Sequence, residues 1–598
     1  MFISKILCNG KRTSKTLTLA VSELKKLAAD CGINSKKIIS AEFRHCPEAE
    51  GYSARVESKK LIFGYMQEID ALYAVYDFAS DYLGYCFWGP GKSVLAPASA
   101  LKIEDGLLFG PRKPLIKRRG FIQEFPFNKD SRILADWMAK NKLNYLLVWM
   151  KYYDKMSPQL KQYFNVRGIE IESGHHNFSY WIPGEKYARS NPDFFAMKDG
   201  ERIKPSPGKS ELLLSEQLCT TNPELRREIV KRMAEYRKNN PEVKTLSLIP
   251  NDGFGWCECE KCSKFYDKNK KGGFYSVSEH VYKAGRIYHD MVADVASQLS
   301  EKSSGTNLTL CAYVNYCAPS PGFKLKENMA VHFAPYWRCI NHSVGEKSCY
   351  TNSSYLKDLK AWLAAKKGGE VNIYEYYMGV NLYLSLPMVH HEQIFEEAAL
   401  YHKLGVDGLL TQFHLPHWTA YGLNFYMMAK ACWNSDSGKQ EIDAAFNKIF
   451  GAKASDAKKF YRMLRKLQES AGKCLIPYPR ALLLRTKASD YRKIHDAAKK
   501  LAAGFPEGSL PAELPFWTEY LLKFKTLFDD YHNAKAGEKE IEAFIRWCKK
   551  LKHSVLVEGK LDYLFGAWLE CLKSNKEWLH FNLDWEDDYI RRHDKSLN

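Results

Sequence analysis

The chain has 598 residues, a formal net charge of +19, and 45% hydrophobic and 26% charged residues. This ordinary globular composition excludes a wholly disordered chain and a fibrous repeat, and the length allows a large barrel with further domains. The lysines are spread through helical segments, and the sequence contains neither zinc-finger spacing nor an RNP-like aromatic motif. We therefore expect a solvated basic surface and no nucleic-acid partner.

The first segment, residues 1–117, is predicted to form a small α/β domain. Its predicted elements after a first strand are helix Val21–Cys31, strands Tyr52–Ser58 and Leu61–Tyr65, and helix Ala71–Leu83, which ends at Gly84. The sequence from Trp88 to Lys92 indicates a turn, because it contains Gly-Pro-Gly. The basic, proline-containing stretch Pro111–Gly120 is interpreted as a linker.

The middle segment, residues 118–430, is predicted to be a (β/α)₈ barrel. Short apolar stretches alternate there with helix-like stretches, as is typical of strands buried in a parallel sheet. Eight such strands, mostly separated by helices, indicate a closed barrel. The predicted strands are Gly120–Glu124, Asn144–Trp149, Gly168–Glu172, Thr245–Ile249, Leu308–Tyr313, Ala330–Ala334, Val371–Glu375 and Gly408–Gln412. The predicted helices include Arg132–Lys142, Pro223–Asn239, Ser278–Ser300, Leu356–Lys366 and Gln393–Leu404.

The last segment, residues 431–598, is predicted to be a helical domain packed on the barrel. Strand patterns stop after about residue 431, and Lys, Glu and Leu recur at helical spacing. Prolines are expected to divide this pattern into separate helices, because proline does not fit a helix interior. These prolines are Pro477, Pro479, Pro506, Pro511 and Pro515.

The carboxyl ends of the barrel strands identify the expected site, since (β/α)₈ barrels place their active sites there. The residues at these ends combine carboxylates, imidazoles, amides and aromatic rings, a set suited to binding sugar hydroxyls and sugar C–H faces. They are Glu124, Tyr152, Tyr153, His175, His176, Asn177, Asn251, Asp252, Tyr313, Asn315, Trp337, Arg338, Tyr374, Glu375, Tyr376, His414, His417 and Trp418.

Two carboxylates in this set, Asp252 and Glu375, are predicted to be catalytic, since glycoside hydrolysis requires a pair. Asp252 lies in a Pro-Asn-Asp-Gly turn that can aim its side chain into the cleft, and a residue that only shapes the turn is the alternative. Glu375 ends an aromatic strand, where burial raises a carboxyl pKa as a general acid requires. A structural salt bridge is the alternative for Glu375.

A histidine pair, His175 and His176, follows the third predicted strand and precedes Asn177. Adjacent side chains on an extended segment point in opposite directions, so the pair is not expected to bind one metal ion. We expect one of the two to hydrogen-bond substrate. A structural histidine is the alternative.

Three cysteines, Cys257, Cys259 and Cys262, lie within six residues. A structural zinc site would need a fourth ligand, either Cys219 or a histidine, and the alternative is one disulfide with a free thiol. Sixteen cysteines in 598 residues are too sparse for a disulfide framework. No metal or other cofactor is expected to be required for catalysis.

Several signatures are absent from the sequence. It has no Gly-rich phosphate loop and no Gly-x-Ser-x-Gly elbow, so kinase, dehydrogenase and serine-hydrolase functions lose their main support. Lys5 interrupts the apolar N-terminus, and no stretch is long enough to span a membrane. We expect a soluble protein, cytoplasmic if the sequence is complete, and periplasmic or secreted if a signal peptide was removed.

Two groups of motifs within about residues 1–430 resemble carbohydrate-active proteins. Leu72–Ala79, followed by Leu83–Gly91, resembles the small α/β domain that precedes the barrel in β-hexosaminidases and α-glucuronidases. His176–Phe178, Asn191–Ala196 and Pro250–Cys262 resemble the bacterial family called domain of unknown function 4838. Some members of that family form glycoside hydrolase family 163, which are endo-β-N-acetylglucosaminidases acting on complex N-glycans.

The resemblance implies a retaining, substrate-assisted mechanism, in which the substrate's acetamido carbonyl attacks the anomeric carbon. One carboxylate then orients the acetamido N–H and the other protonates the leaving oxygen. On this sequence the pair would be Asp252 and Glu375, with Asn251 helping to hold the acetamido group. The hexosaminidase pattern has two neighbouring acids where this chain has Asn251-Asp252, so an ordinary two-carboxylate mechanism stays open.

Three hypotheses follow for function. The leading one is a glycoside hydrolase acting on an N-acetylglucosamine-containing glycan or glycoprotein, endo-acting on N-glycans. The second is an α-glucuronidase-like hydrolase of uronic-acid glycans, which a basic cleft containing Arg338 would favour. The third is a carbohydrate-binding barrel without catalysis.

Overall fold

A closed barrel of eight parallel strands forms the centre of the computed structural model. The structure describes residues 5–9, 14–31, 40–95, 105–205, 217–253, 255–265, 284–379, 383–551, 565–566, 568–570 and 572–574. The start of the predicted helix Ser278–Ser300, before residue 284, lies outside the described residues.

A mixed sheet and two helices precede the barrel. The elements are β1 (Lys5–Asn9), α1 (Lys15–Asp30), β2 (Ser40–His45), β3 (Tyr52–Glu57), β4 (Lys60–Tyr65), α2 (Glu68–Tyr82), β5 (Tyr85–Gly89), β6 (Lys92–Leu95) and β7 (Gly106–Arg112). The five-stranded sheet has the order β1-β2-β4-β3-β7, with β3 antiparallel to both of its neighbours. Helix α2 packs on β3 and β4, α1 packs on α2, and β5 and β6 form a separate hairpin.

Two strands of this sheet were not predicted from the sequence. Strand β2 contains the buried Glu42, which pairs with Arg44 and Lys60, so its charges conceal a strand pattern. Strand β7 includes Pro111, where a linker was predicted, and proline is tolerated there because β7 is an edge strand. The turn predicted between Trp88 and Lys92 joins β5 to β6.

The barrel contains all eight strands predicted for it. They are β8 (Arg118–Gln123), β9 (Tyr145–Trp149), β10 (Glu170–Gly174), β13 (Thr245–Ser247), β14 (Asn307–Tyr313), β16 (Met329–Ala334), β18 (Glu370–Glu375) and β19 (Gly408–Phe413). Each pairs in parallel with the next, and β19 pairs with β8 to close the ring. A Cβ atom at Gly120 would lie 1.8 Å from the Tyr145 carbonyl oxygen, so glycine permits the close approach of β8 and β9.

Helices and short strands connect the barrel strands. The helices are α3 (Ser131–Lys140), α4 (Met150–Tyr153), α5 (Pro158–Val166), α6 (Phe178–Trp181), α7 (Gly184–Tyr187), α8 (Pro223–Asn239), α9 (Glu260–Ser263), α10 (Gly285–Lys302), α11 (Tyr350–Ala365) and α12 (His391–Leu404). The short strands are β11 (Met197–Lys198), β12 (Glu201–Arg202), β15 (Leu325–Lys326) and β17 (Lys366–Lys367), which pair as β11 with β12 and β15 with β17.

A buried carboxylate, Glu172 of β10, lies in the barrel interior. Its Oε2 accepts a hydrogen bond from the Tyr145 hydroxyl at 2.7 Å and lies 2.8 Å from His332 Nε2. Its Oε1 accepts hydrogen bonds from the Ser247 and Thr309 hydroxyls. Burial alone would raise the pKa of Glu172, but the charge of His332 and the donated hydrogen bonds lower it to about 2. Glu172 is therefore a structural anion rather than an exchangeable proton donor.

The chain after β19 is helical over the residues described. The helices are α13 (Trp418–Ala431), α14 (Gly438–Phe450), α15 (Ala454–Ser470), α16 (Pro479–Arg485), α17 (Ala488–Ala502), α18 (Leu510–His532) and α19 (Glu538–Lys550). Pro479 and Pro511 lie in the first turns of α16 and α18, where proline is tolerated. Pro515 does not divide two helices as predicted, because it lies in the second turn of α18 and removes only one intrahelical hydrogen bond.

Within the described part of the chain, no helix is both long enough and apolar enough to cross a membrane.

Candidate active site

Glu124 lies at the mouth of the barrel. It was among the residues expected at the strand ends, but it was not predicted to be catalytic. It follows β8, and its side chain is 14% exposed. Its Oε1 accepts a hydrogen bond from the Tyr374 hydroxyl at 3.0 Å and lies 3.0 Å from His175 Nε2. Two neighbours from two other strands therefore fix the orientation of this carboxylate.

The histidine pair departs from the extended geometry assumed from the sequence. His175 has φ +71°, so His175 and His176 do not alternate across a strand. Their rings lie 4.8 Å apart, and the ring of His175 stacks on Trp149 at 4.5 Å. His176 Nδ1 contacts the Pro250 carbonyl oxygen. Burial lowers the pKa of His176, the charge of Asp252 opposes this shift, and His175 adds to it.

Asp252 is exposed on the loop that follows β13. The residues on either side of it, Asn251 and Gly253, hold this loop in place through hydrogen bonds. The Asn251 side-chain oxygen accepts a hydrogen bond from the Ser179 backbone N–H at 3.1 Å, and its amide donates to the Ser179 hydroxyl at 2.7 Å. Gln217 donates to the carbonyl oxygens of Asn251 and Gly253. Asn251 is itself buried, so its visible role is to fix the turn that presents Asp252.

Four tyrosines, Tyr313, Tyr336, Tyr374 and Tyr376, line the barrel mouth and are called here the aromatic wall. Tyr336 lies 5.4 Å from both Tyr313 and Tyr376 between ring centroids, and Tyr374 lies 5.1 Å from Tyr376. Burial raises the pKa of Tyr336 and Tyr374, and the charges of both Glu124 and Asp252 raise it further. The charges of Glu124 and Asp252 therefore both act on Tyr336 and Tyr374, and Glu124 also contacts Tyr374 directly.

Glu375 does not share this surface. Side chains alternate along β18, so Tyr374 and Tyr376 face the mouth while Glu375 points towards α12. Glu375 Oε1 accepts hydrogen bonds from Arg338 at 2.6 Å and from the Tyr401 hydroxyl at 2.9 Å. Burial raises the pKa of Glu375, Arg338 opposes the shift, and repulsion from Glu397 adds to it. The carboxylate is 1% exposed.

Arg338 is likewise committed to a buried network. It pairs with Glu375 and with Glu397, and Glu397 also accepts a hydrogen bond from the Tyr377 hydroxyl at 2.9 Å. Burial would lower the pKa of Arg338, but the two carboxylates raise it well above its usual value. The guanidinium is 3% exposed, so its charge is neutralised by buried carboxylates and does not face the mouth.

Four other residues predicted for the site have structural contacts. Asn177 donates a hydrogen bond to the Ser247 carbonyl oxygen at 2.6 Å and accepts one from the Ile249 backbone N–H. Trp337 Nε1 donates to the Tyr478 hydroxyl at 3.2 Å, so it joins the mouth to the helical region. His414 is buried against Phe125, with ring centroids 5.1 Å apart. Trp418 lies in the core, 4.7 Å from Trp137.

The three neighbouring cysteines predicted from the sequence come together with Cys219. The four side chains, called here the four-cysteine tetrad, are buried and bring their sulfur atoms within 4.8 Å of one another. Among the cysteines whose side chains are described, none forms a disulfide. Three members of the tetrad follow Asp252 along the chain, and Cys219 lies four residues before α8, so the tetrad joins the segment after Asp252 to the start of α8.

Sequence reasoning missed three features of the mouth. Glu124 was available from the strand-end rule, but Glu375 appeared more buried and more aromatic in its surroundings. Trp149 is the last residue of a predicted strand, and Tyr336 comes two residues after another. Counting every residue at and just after a strand end, without favouring one carboxylate, would have found all three.

The fold and the mouth together define a (β/α)₈-barrel protein with a carboxylate-bearing, aromatic-lined cleft. The family model described as Domain of unknown function (DUF4838) matches residues 112–462. This range is more than half of the chain, and the chain belongs to that family. No curated protein matches the chain.

The solved structures to which the chain is similar are distant in sequence. A GH138 enzyme targeting pectin rhamnogalacturonan II is similar over 96% of this chain and 79% of that chain, at 11% identity and a TM-score of 0.51. The β-N-acetylhexosaminidase from Bacteroides fragilis NCTC 9343 is similar over 77% and 92% of the two chains, at 11% identity and a TM-score of 0.46. A further β-N-acetylhexosaminidase covers 70% and 93%, at 12% identity and a TM-score of 0.43. At 11% identity, the likeness to the GH138 enzyme shows the fold alone.

Proposed function

We propose that the chain is a glycoside hydrolase that acts on an N-acetylglucosamine-containing glycan, endo-acting on N-glycans. The observation that carries the proposal is the pair of carboxylates at the ends of two barrel strands, Glu124, which accepts a hydrogen bond from Tyr374, and the exposed Asp252. Carboxylate pairs on either side of a scissile bond are the common machinery of glycoside hydrolysis. The GH138 enzyme with this fold, which targets a pectin, is consistent with a carbohydrate substrate.

We assign different tasks to the two carboxylates. Strands β9 and β10 separate the strands that precede Glu124 and Asp252, so the two side chains stand on different sides of the mouth. Glu124 accepts a hydrogen bond from Tyr374, and such donation favours a charged carboxylate. It is suited to stabilise positive charge at the sugar or to orient the acetamido N–H. Asp252 is exposed, so its side chain can reach a bound glycan, and we assign it the protonation of the leaving oxygen.

This assignment uses Glu124 in place of Glu375 as the partner of Asp252. Glu375 is enclosed by Arg338 and Tyr401, and moving it into the mouth would leave Arg338 with one carboxylate fewer. The contacts favour the structural salt bridge that the sequence left open as the alternative. A uronic-acid substrate loses its supporting observation as well, because Arg338 is already paired with Glu375 and Glu397.

Three matched amide variants test the assignment. Asp252→Asn and Glu124→Gln are expected to lower turnover of a complex N-glycoprotein by about 10²–10⁴-fold while glycan binding persists, because each removes a reacting carboxylate. Glu375→Gln is expected to lower stability and to keep most of the turnover of the folded fraction. Turnover is measured by mass spectrometry of released glycan, binding by calorimetry, and folding by circular dichroism.

The opposite ranking would overturn the assignment. Loss of turnover in a fully folded Glu375→Gln protein, with Glu124→Gln still active, would return the catalytic role to Glu375. Turnover that persists in both Asp252→Asn and Glu124→Gln would remove the mouth as the reaction site. Binding by the wild type without any product would favour a carbohydrate-binding barrel without catalysis.

The substrate class is tested on a mixed panel of glycans. It contains complex and high-mannose N-glycoproteins, chitooligosaccharides, glucuronosylated xylan and rhamnogalacturonan II. We expect release of an intact glycan that ends in a reducing N-acetylglucosamine. Inhibition by a thiazoline analogue of the cyclised acetamido intermediate would support substrate assistance. Release of free glucuronic acid or of a pectin fragment would instead contradict the proposed substrate.

A further inference from the structure

The fold brings together two groups of thiol-rich side chains, and we propose that each binds one Zn²⁺ ion with a structural role. The first is the four-cysteine tetrad, formed by Cys219, Cys257, Cys259 and Cys262. The second, called the cysteine–histidine tetrad, is formed by Cys339, His342, Cys349 and Cys474. In both, the four ligand atoms lie within 4.8 Å of one another, and only His342 is not fully buried.

The distances within both tetrads match tetrahedral zinc coordination. Zinc–sulfur bonds of about 2.3 Å in a tetrahedron place neighbouring sulfurs about 3.8 Å apart. Cys219 Sγ lies 3.7 Å from Cys259 Sγ, and Cys349 Sγ lies 4.0 Å from Cys474 Sγ. A disulfide requires a sulfur–sulfur distance of about 2.05 Å, which is far shorter. Thiolate and imidazole are also the ligands that zinc prefers in structural sites.

The cysteine–histidine tetrad joins the barrel to the helical region. Cys339, His342 and Cys349 lie between β16 and α11, whereas Cys474 follows α15, so spacing along the chain gives no hint of the site. Cys339 Sγ lies 3.3 Å from His342 Nδ1 and accepts a hydrogen bond from the Leu475 backbone N–H at 3.4 Å. Backbone donation of this kind supports a metal-bound thiolate.

The position of this tetrad gives the metal a role at the mouth. Cys339 follows Trp337 and Arg338 directly, and Trp337 contacts Tyr478 of the helical region. The Ile340 backbone N–H donates to the Leu475 carbonyl oxygen at 2.7 Å, beside the proposed ion. A bound ion would therefore hold the loop after β16, and with it the wall residue Tyr336, against the helical region.

The four-cysteine tetrad has its own set of hydrogen bonds, separate from those of the cysteine–histidine tetrad. Cys257 Sγ accepts a hydrogen bond from the Met197 backbone N–H at 3.3 Å, and the Thr221 hydroxyl lies 3.1 Å from Cys262 Sγ. Cys257 comes five residues after Asp252, and Cys219 comes two after Gln217, which bonds the Asp252 turn. An ion here would anchor the loop that presents Asp252.

Metal analysis of the purified full-length chain tests both sites. We expect two zinc ions per chain by inductively coupled plasma and native mass spectrometry, and 16 titratable thiols after denaturation with chelator and without reductant. Cys262→Ser and Cys349→Ser are each expected to retain one zinc, and the double variant none. Cys548→Ser, which changes a buried cysteine outside both tetrads, should retain two.

Each other outcome would overturn the proposal for the tetrad concerned. A wild-type protein without zinc, with iron in place of zinc, or with a disulfide between two tetrad members would contradict it. The wild-type measurement does not depend on whether a variant folds. Cobalt substitution of the wild type gives a second readout, because thiolate-to-cobalt charge-transfer absorption should appear in proportion to two occupied sites. Absence of that absorption would count against thiolate coordination.

Discussion

Two buried carboxylates, Glu375 of β18 and Glu397 of α12, share the positive charge of Arg338. All three side chains are at most 3% exposed, so none of them is compensated by water. Taking away one member of such a group leaves an uncompensated buried charge, which costs far more than an exposed pair does. The network is therefore a requirement of the fold at this position, whatever the chemistry of the mouth.

Replacement of this arginine by an apolar side chain tests that requirement. We expect Arg338→Met to lower the free energy of unfolding by about 3–5 kcal/mol, because Glu375 and Glu397 would lose their shared cation. Urea denaturation followed by circular dichroism measures the change. Arg546→Met removes an exposed partner of Glu542 and should change it by less than about 1 kcal/mol. Equal stability losses in the two variants would contradict the proposed role of burial.

Residue types at the mouth were predictable, but their orientations were not. The strand-end rule supplied Glu124, His175 and Asp252, because barrel topology brings these positions to one face. It could not show that Glu375 points away, since that depends on Arg338 and α12. Nor could it show the positive φ of His175, which is a local backbone conformation uncommon outside glycine.

At the scale of single elements, α12 begins with a histidine enclosed by aromatic rings. His391 is 7% exposed and lies 5.8 Å from Phe446 and 5.3 Å from Tyr461 between ring centroids. Burial lowers the pKa of His391 to about 4. The unfolded chain takes up this proton near pH 6.5, so stability is lost as the pH falls from about 6.5 towards 4.

An apolar replacement should remove this contribution to acid sensitivity. Between pH 7 and pH 4.5, we expect the wild type to lose about 2 kcal/mol more unfolding free energy than His391→Phe, because phenylalanine binds no proton. Denaturant titrations at a series of pH values measure both slopes. His45→Gln, at an exposed position, is the control and should follow the wild type. Parallel slopes for His391→Phe and wild type would contradict the assignment of this window to His391.

Elements were predictable where burial gives a simple pattern. The eight barrel strands are buried on both sides and most of their residues are apolar, because the barrel interior covers one side and the helices cover the other. Strand β2 was missed, because its buried Glu42 breaks that pattern. The prolines were expected to divide the C-terminal segment, but Pro515 lies inside α18, where it removes one intrahelical hydrogen bond.

At the scale of the whole molecule, α18 supports the loop that leads from β18 to α12. Leu384 and Ser385 of that loop have φ of +58° and +57°, values that are costly for residues with a side chain. Trp517 Nε1 donates a hydrogen bond to the Ser385 carbonyl oxygen at 2.8 Å, and the Tyr520 hydroxyl donates to that of Leu384 at 2.7 Å. The helical region thus holds a barrel loop in its strained conformation.

Loss of one of these donors should destabilise the whole molecule. Trp517→Phe leaves the Ser385 carbonyl oxygen without this partner and reduces core packing, so we expect a loss of about 2–4 kcal/mol in unfolding free energy. Thermal and urea unfolding measure it. Trp547→Phe, at a half-buried position on α19, should cost less than half as much. A Trp517→Phe protein as stable as wild type would contradict the supporting role of α18.

Contacts between distant parts of the chain set the limit of prediction at this scale. The barrel and the helical region were predictable as classes of structure, since each has its own periodicity. The partnership of Cys349 with Cys474, and of Trp517 with Ser385, joins residues more than 120 positions apart. Periodicity and spacing contain no information on such pairs, which arise only when the packed elements are assembled.

The contacts of the buried Glu172 carboxylate have a consequence for incomplete chains, both during synthesis and in fragments of the barrel. Its partners come from β9, β13, β14 and β16. Together with β10, the contacts therefore span five consecutive strands of the barrel. A nascent chain that has not yet emerged beyond His332 would have to bury this anion without one of its hydrogen-bonding partners. The surroundings of Glu172 are therefore complete only after β16 has been synthesised. A half-barrel fragment that ends before β16 lacks His332 and is expected to be destabilised at Glu172.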